Sequence, residues 1–306
     1  GFRFGLGGVT NSRLSSRYKI AFYGAYGLKD KEAKLELSIP MGARLGDKVI
    51  DLENITKSFG DRVLYENLSL SIPKNAIVGV IGPNGAGKSS VLRAAAGLVP
   101  YTGSVAINQT EIPVTSARWR AQHIAYVPQA PVIPTDMSVY EYVLLGRNPY
   151  INYFSSETSH DRDVIDRVLD RLDLVQFSAR KLGTLSGGEV QRLVIARALA
   201  QEALVLLLDE PTSALDIGHQ QQALELVDGL RREQGLTIIS AMHDLTLAGL
   251  YADRLVLMHE GHRVAEGTAK QVLKSETLAE FYGVSARVHH EADGTVVVIP
   301  QRSSRL

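Results

Sequence analysis

From about Lys48 onward, apolar and polar residues fall into two rhythms. Short unbroken apolar runs recur at Ala76 to Ile81, Leu204 to Leu208 and Leu236 to Ala241. Runs of this length without alternation predict strands buried on both faces, as in a parallel sheet. Val49 to Leu52 and Leu68 to Ile72 read as further strands. Between the runs the spacing changes. Val164, Ile165, Val168, Leu169 and Leu172 recur at helical intervals, which predicts an amphipathic helix over Asp161 to Val175. Val190, Leu193, Val194 and Leu199 repeat that pattern directly after Ser186-Gly187-Gly188. Near the end, Arg287 to Ile299 reads as a hairpin turning at Ala292-Asp293-Gly294. The alternation of strands and helices implies an α/β fold.

Residues 1–46 show neither rhythm. The start is Gly-rich, Tyr18 to Gly27 mixes aromatics with glycines, and basic residues from Arg3 to Arg44 meet few acids. The expectation is a solvated extension rather than a binding arm. It precedes a single domain over 47–300 and a tail over 301–306.

Composition narrows the chemistry. Lys plus Arg number 33 and Asp plus Glu 33, so the whole chain offers no electrostatic footprint for nucleic acid. Cysteine is absent, which excludes disulfides, thiolate metal sites and thiol catalysis. The longest apolar run, Ala203 to Leu208, is far too short to cross a bilayer. Gly1 to Gly8 lacks the charged-then-apolar pattern of a leader. The expectation is a soluble chain that meets a membrane only through a partner.

The run Ala76 to Ile81 ends in Gly82-Pro83-Asn84-Gly85-Ala86-Gly87-Lys88-Ser89, followed by Ser90. A strand, a Gly-rich loop with Lys and Ser, and a helix start make the phosphate-binding P-loop pattern. Glycines let backbone N–H groups converge on phosphate oxygens where a Cβ would clash. The helix beginning near Lys88 aims its positive dipole end at the same oxygens. Lys88 is placed to reach the β and γ phosphates, and the Ser89 hydroxyl to ligate magnesium.

Two acids, Asp209 and Glu210, follow the strand Leu204 to Leu208. A magnesium-supporting aspartate belongs at the end of a strand beside the P-loop. Glu210, pointing to the other side of the strand, could polarise an attacking water as general base. Ser186-Gly187-Gly188-Glu189 opens a helix and forms a second anion-binding start. Alone it reads as a helix cap with Ser186 as N-cap. With two cradles, either one chain binds phosphate twice or two chains complete one site between them.

The ordered set resembles the ATP-binding cassette (ABC) family. It runs from Gly82–Ser90 through Gln129, Leu185–Glu189, Leu208-Asp209-Glu210-Pro211 and Ser213-Ala214-Leu215-Asp216 to His243. The resemblance covers about residues 48 to 299. It implies a RecA-like parallel-sheet core, an antiparallel β subdomain and an α-helical signature subdomain near 130–200. It implies an ATPase using Mg2+ and working as a head-to-tail homodimer. In that dimer ATP lies between one subunit's phosphate loop and the other's Ser186-Gly187-Gly188. It also assigns Phe59 to adenine stacking, Gln129 to magnesium and water, His243 to the γ-phosphate and Asp216 to coupling of the two sites. The other histidines, His289 and His290 among them, read as surface residues.

From about Val91, Met137–Arg147, Ala241–Leu245 and Phe281–Val284 resemble importer ATPases of the iron-siderophore, haem and cobalamin group. That likeness implies permease subunits docking near Gln129–Arg147 and a peripheral place on the cytoplasmic membrane face. It implies an extracytoplasmic binding protein as indirect partner. Residues of about 30–90 instead resemble the start of the second cassette of ABC-F translation factors, which implies a ribosome-associated alternative and a mosaic seam near the phosphate loop.

Overall fold

The computed structural model describes residues 48–59, 62–112, 115–152, 155–213, 215–291 and 294–302, the side chains of Phe59 and Arg62 excepted. The expectations for residues 1–46, for Ala292-Asp293 and for residues 303–306 lie outside them.

Two long antiparallel strands come first, β1 (Lys48–Phe59) and β2 (Arg62–Pro73). The chain then enters the middle of a second sheet as β3 (Ile77–Ile81), and a loop leads into α1 (Lys88–Ala95). Strands β4 (Thr102–Ile107) and β5 (Thr110–Glu111) return to the first sheet, ordered β2-β1-β4-β5. Helix α2 (Ala117–His123) precedes β6 (Ile124–Val127), the far edge of the second sheet. Helices α3 (Val139–Leu144), α4 (Ser159–Arg171) and α5 (Gly187–Ala200) follow as a helical unit. The second sheet is completed by β7 (Val205–Asp209), α6 (Ile217–Gln234), β8 (Thr237–Ala241), α7 (Leu245–Tyr251), β9 (Arg254–His259) and β10 (His262–Gly267). Its order is β10-β9-β3-β8-β7-β6, parallel except for the β9–β10 edge pair. Helices α8 (Ala269–Val272) and α9 (Ser275–Tyr282) lead to a hairpin of β11 (Ala286–His290) and β12 (Val296–Pro300).

Strands β3, β7 and β8 are buried at every position, as their unbroken apolar runs predict. Alternation divides their side chains between two cores. Val78, Val80, Val205, Leu207 and Ile239 pack with α1 and the antiparallel sheet. Ile77, Leu206, Leu208 and Ile238 pack with the helical unit. The amphipathic helix is shorter than its apolar spacing predicts. Thr158 and Asp161 form a capping box that starts α4 at Ser159, and Asp173 takes a left-handed φ of 53° beyond its end. Val175 therefore belongs to the next turn. Strands β4, β5, β6, β9 and β10 lie where no strand was read from the sequence; β6 is a run of only four residues.

Candidate active site

Parallel strands end on one edge of their sheet, and ligands bind outside those ends. Here β3 ends in Gly82–Ser89, β6 in Pro128-Gln129, β7 in Asp209-Glu210 and β8 in Met242-His243. The order β3-β8-β7-β6 makes these ends neighbours although the sequence separates them widely.

The loop relies on its glycines. Gly82, Gly85 and Gly87 have φ of 149°, 83° and 97°. Gly82 also lies so close to β9 that a methyl group would sit 2.1 Å from the Met258 carbonyl oxygen. Gly82→Ala is therefore expected to cost about 1–3 kcal/mol from backbone strain alone, and to weaken triphosphate binding. Denaturant unfolding and nucleotide titration of the variant test this, and wild-type values in both would contradict it.

Lys88 is buried, and its ammonium donates to the carbonyls of Gly82 at 2.7 Å and Pro83 at 3.1 Å. Burial holds its pKa below that of an ordinary lysine, while Glu210 and Asp209 pull it back up. An ammonium has three protons, so one remains for an oxygen outside the loop. Beside it the Ser89 hydroxyl donates to Asp209 Oδ1 at 2.7 Å. Ser90 continues the helix, its carbonyl 3.4 Å from the Tyr65 hydroxyl.

Asp209 is fully buried, and a buried carboxylate needs partners to stay charged. Its Oδ2 accepts from the Tyr126 hydroxyl at 2.8 Å and lies 3.6 Å from Arg93. Arg93 Nε in turn donates to Tyr126 Oη at 3.1 Å. Burial is the main cause that pushes the Tyr126 phenol up to about 12, so it remains a protonated donor. Tyr126 and Arg93 were not foreseen, because neither belongs to a motif. Their signal is positional: β6 runs parallel to β7, bringing Tyr126 alongside the end of that strand.

Glu210 faces elsewhere. It leaves the strand with a left-handed φ of 51°, an unusual state for a residue with a Cβ, and its N–H donates to Ala241 at 3.1 Å. Its carboxylate accepts from Gln129 Nε2 and is in close contact with His243 Nε2. The two neighbouring acids thus part company: one is tied to Ser89, Tyr126 and Arg93, the other to Gln129 and His243.

A cleft of about 220 Å3 lies over the loop, lined by Leu64, Asn84 to Ser90 and Glu210. A larger one of about 620 Å3 shares Leu64 and Asn84 to Ala86 with it and extends to His259 and Tyr282. Neither is lined by Ser186–Glu189. That segment starts α5 with a capping box, Ser186 N–H donating to Glu189 at 2.7 Å, which holds the Glu189 carboxyl below its usual range. Asp216 caps α6 and is exposed. Phe59 ends β1, and its ring lies outside the described side chains. His289 and His290 are exposed as expected, but His123 is half-buried and stacked on Trp119.

Residues 65–213 match the ABC transporter family. The chain is also 37% identical over 240 residues to the iron(3+)-hydroxamate import ATP-binding protein FhuC of Bacillus subtilis, spanning 78% of this chain and 89% of that protein. It belongs to the ABC transporter family. The cassette is 33% identical to the hemin import ATP-binding protein HmuV of Rhodococcus jostii, over 87% of this chain and 91% of that protein. It superposes on the dimeric structure of MJ0796, a bacterial ABC transporter cassette, with a TM-score of 0.64 and 29% identity, over 72% of this chain and 98% of that one.

These matches favour the importer reading over the ribosome-associated alternative. An alignment over 87% of the chain must cross the phosphate loop and most of residues 30–90, so the importer likeness does not stop at the loop. The cassette also packs as one piece across that point. Leu52, Leu68 and Ile72 before the loop share a core with Leu92, Val105 and Leu207 after it.

Proposed function

We propose that this cassette is the ATP-hydrolysing subunit of an importer, working as a homodimer under a membrane permease. The cargo class is an iron-siderophore, haem or cobalamin type substrate. One observation carries the catalytic part. Glu210 is held by Gln129 and His243 beside the cleft that Lys88 and the phosphate loop line. The loop amides and Lys88 hold the β and γ phosphates, Glu210 takes the proton of the attacking water, and His243 orients Glu210 and meets the γ-phosphate. Phe59 is assigned to the adenine.

Ser89 and Asp209 present hard oxygens 2.7 Å apart, which fits a magnesium ion, with Gln129 as a further oxygen donor. Among the described residues no cluster of three or more His, Asp or Glu could hold a metal alone, so phosphate oxygens would complete the coordination. When bound, the ion supplies neutralisation of phosphate charge. The Ser186–Glu189 segment lines neither cleft, so its helix start is assigned to the ATP of a second copy, and Asp216 to coupling between the copies.

Among the described residues no helix is long and apolar enough to cross a membrane. Attachment to the cytoplasmic face would come through the permease, docking near Gln129–Arg147, where Val132 is 88% exposed. Cargo choice would lie with the permease and an extracytoplasmic binding protein. Purification from cells with and without detergent tests the importer reading. Recovery of a polytopic membrane protein with the cassette in detergent is expected; sedimentation with ribosomes instead would contradict it.

A further inference from the structure

The starts of α5 and α6 meet within one chain. Asp216 Oδ1 accepts from the His219 backbone N–H at 2.9 Å and from its ring Nδ1 at 2.8 Å. With Nδ1 donating to the carboxylate, Nε2 is left on the opposite side of the ring. That side covers Gly188: a methyl group there would lie 2.8 Å from Cδ2 and 3.1 Å from Nε2 of His219. Behind this contact the helices are not packed solid. A cavity of about 180 Å3, bordered by Gly188, Arg192, Leu215 and His219, separates them. The imidazole is therefore a strut across a loosely filled seam. On its other side the hydrogen bonds continue. Gln220 Nε2 donates to the Thr212 carbonyl at 3.1 Å and the Leu215 carbonyl at 3.0 Å, and the Ser213 hydroxyl donates to the Glu210 carbonyl at 3.2 Å.

We infer that His219 is a positioning residue that links the two ATP sites of the dimer. It ties the Ser186-Gly187-Gly188 helix start to the Glu210–Asp216 segment of the same chain. This rests on the shared-site reading above, in which those two segments of one chain serve different ATP molecules. A shift of Gly188 when ATP is gripped at one site then moves the ring, Asp216 and the turn that follows Glu210 at the other. Two sites joined in this way respond to ATP cooperatively. A side chain at Gly188 would collide with the ring.

The test is ATP hydrolysis by the purified full chain, followed against ATP concentration. In the wild type the Hill coefficient is expected to approach about 2, its limit for two coupled sites. In His219→Ala it falls toward 1, because the contact that ties Gly188 to Asp216 is gone. His219→Asn can still bond Asp216 but is too short to cover Gly188, and it loses cooperativity in the same way. It also decides the matter should the alanine variant fold poorly, since it keeps a side-chain bond to Asp216. His219→Gln reaches further and recovers part of the cooperativity. Wild-type cooperativity in either folded short variant overturns the link and leaves the shared site standing. A wild type that is non-cooperative, and equally active per chain at every protein concentration, removes the shared site and the link together.

Discussion

Glu210→Gln lowers ATP turnover by roughly 10²–10⁴-fold, the usual worth of a positioned general base, with ATP binding retained. The amide keeps the shape of the carboxylate and can still bond Gln129 and His243. It cannot accept a proton from water. The phosphate-holding groups, Lys88 and the loop amides, lie on another strand end and are untouched. The loss therefore falls on kcat and spares half-saturation, the pattern of a group that acts only in the transition state. Removing a negative charge beside the γ-phosphate gives no reason for weaker binding. Steady-state hydrolysis with a parallel nucleotide titration checks both halves. Near-normal turnover would take the role from Glu210, and lost binding would make it a structural residue.

Arg147→Met is expected to cost about 3–5 kcal/mol of stability, the usual result of breaking a buried ion pair from one side. The Arg147 side chain is 2% exposed. Its Nε donates to Asp161 at 2.8 Å, and its Nη1 to the Ala200 carbonyl at 2.8 Å and to Glu202 at 2.7 Å. Its guanidinium also lies 4.1 Å from the centre of the Tyr150 ring. Methionine fills much of the volume but leaves the Asp161 carboxylate buried beside nothing positive.

The pH dependence follows from Asp161. Burial pushes its carboxyl up, but the Thr158 N–H, the Arg147 side chain and the Thr158 hydroxyl together bring it down from 3.8 to about 2. A depressed folded-state value adds stability above the unfolded value, lost as pH falls through the folded one. For this shift that is about 2 kcal/mol, lost between roughly pH 4 and pH 2. The variant lacks the main positive partner and has less of it to lose. The gap between wild type and variant, read by denaturant unfolding, is thus smaller at pH 3 than at pH 7. An equal gap at both would place the cost elsewhere.

Much of the site was legible because its residues follow strand ends. An unbroken apolar run leading into Gly82–Ser89, and another into Asp209-Glu210, are local patterns, and the structure sets them on one edge of one sheet. Ser186 as a helix cap was equally local. The rest depended on pairing between distant segments. Tyr126 reaches Asp209 only because β6 lies beside β7, which nothing in Ile124–Val127 announces. His219 meets Gly188 through the packing of two helix starts, and Arg147 is buried because α4 and the end of α5 close over it. The doubt about the front of the chain came from reading motif likeness piece by piece. The likeness to importer subunits instead runs on through the phosphate loop, and β1, β2, α1 and β7 share one core on either side of it.

The central claim is that one ATP is gripped by two copies of this chain. It is tested most directly by measuring hydrolysis per chain across the micromolar range, with the mass of the ATP-bound species determined in the same samples. The rate per chain should climb as monomer gives way to dimer and level off once dimer dominates. A constant rate per chain, from a species that stays monomeric with ATP throughout, would contradict it.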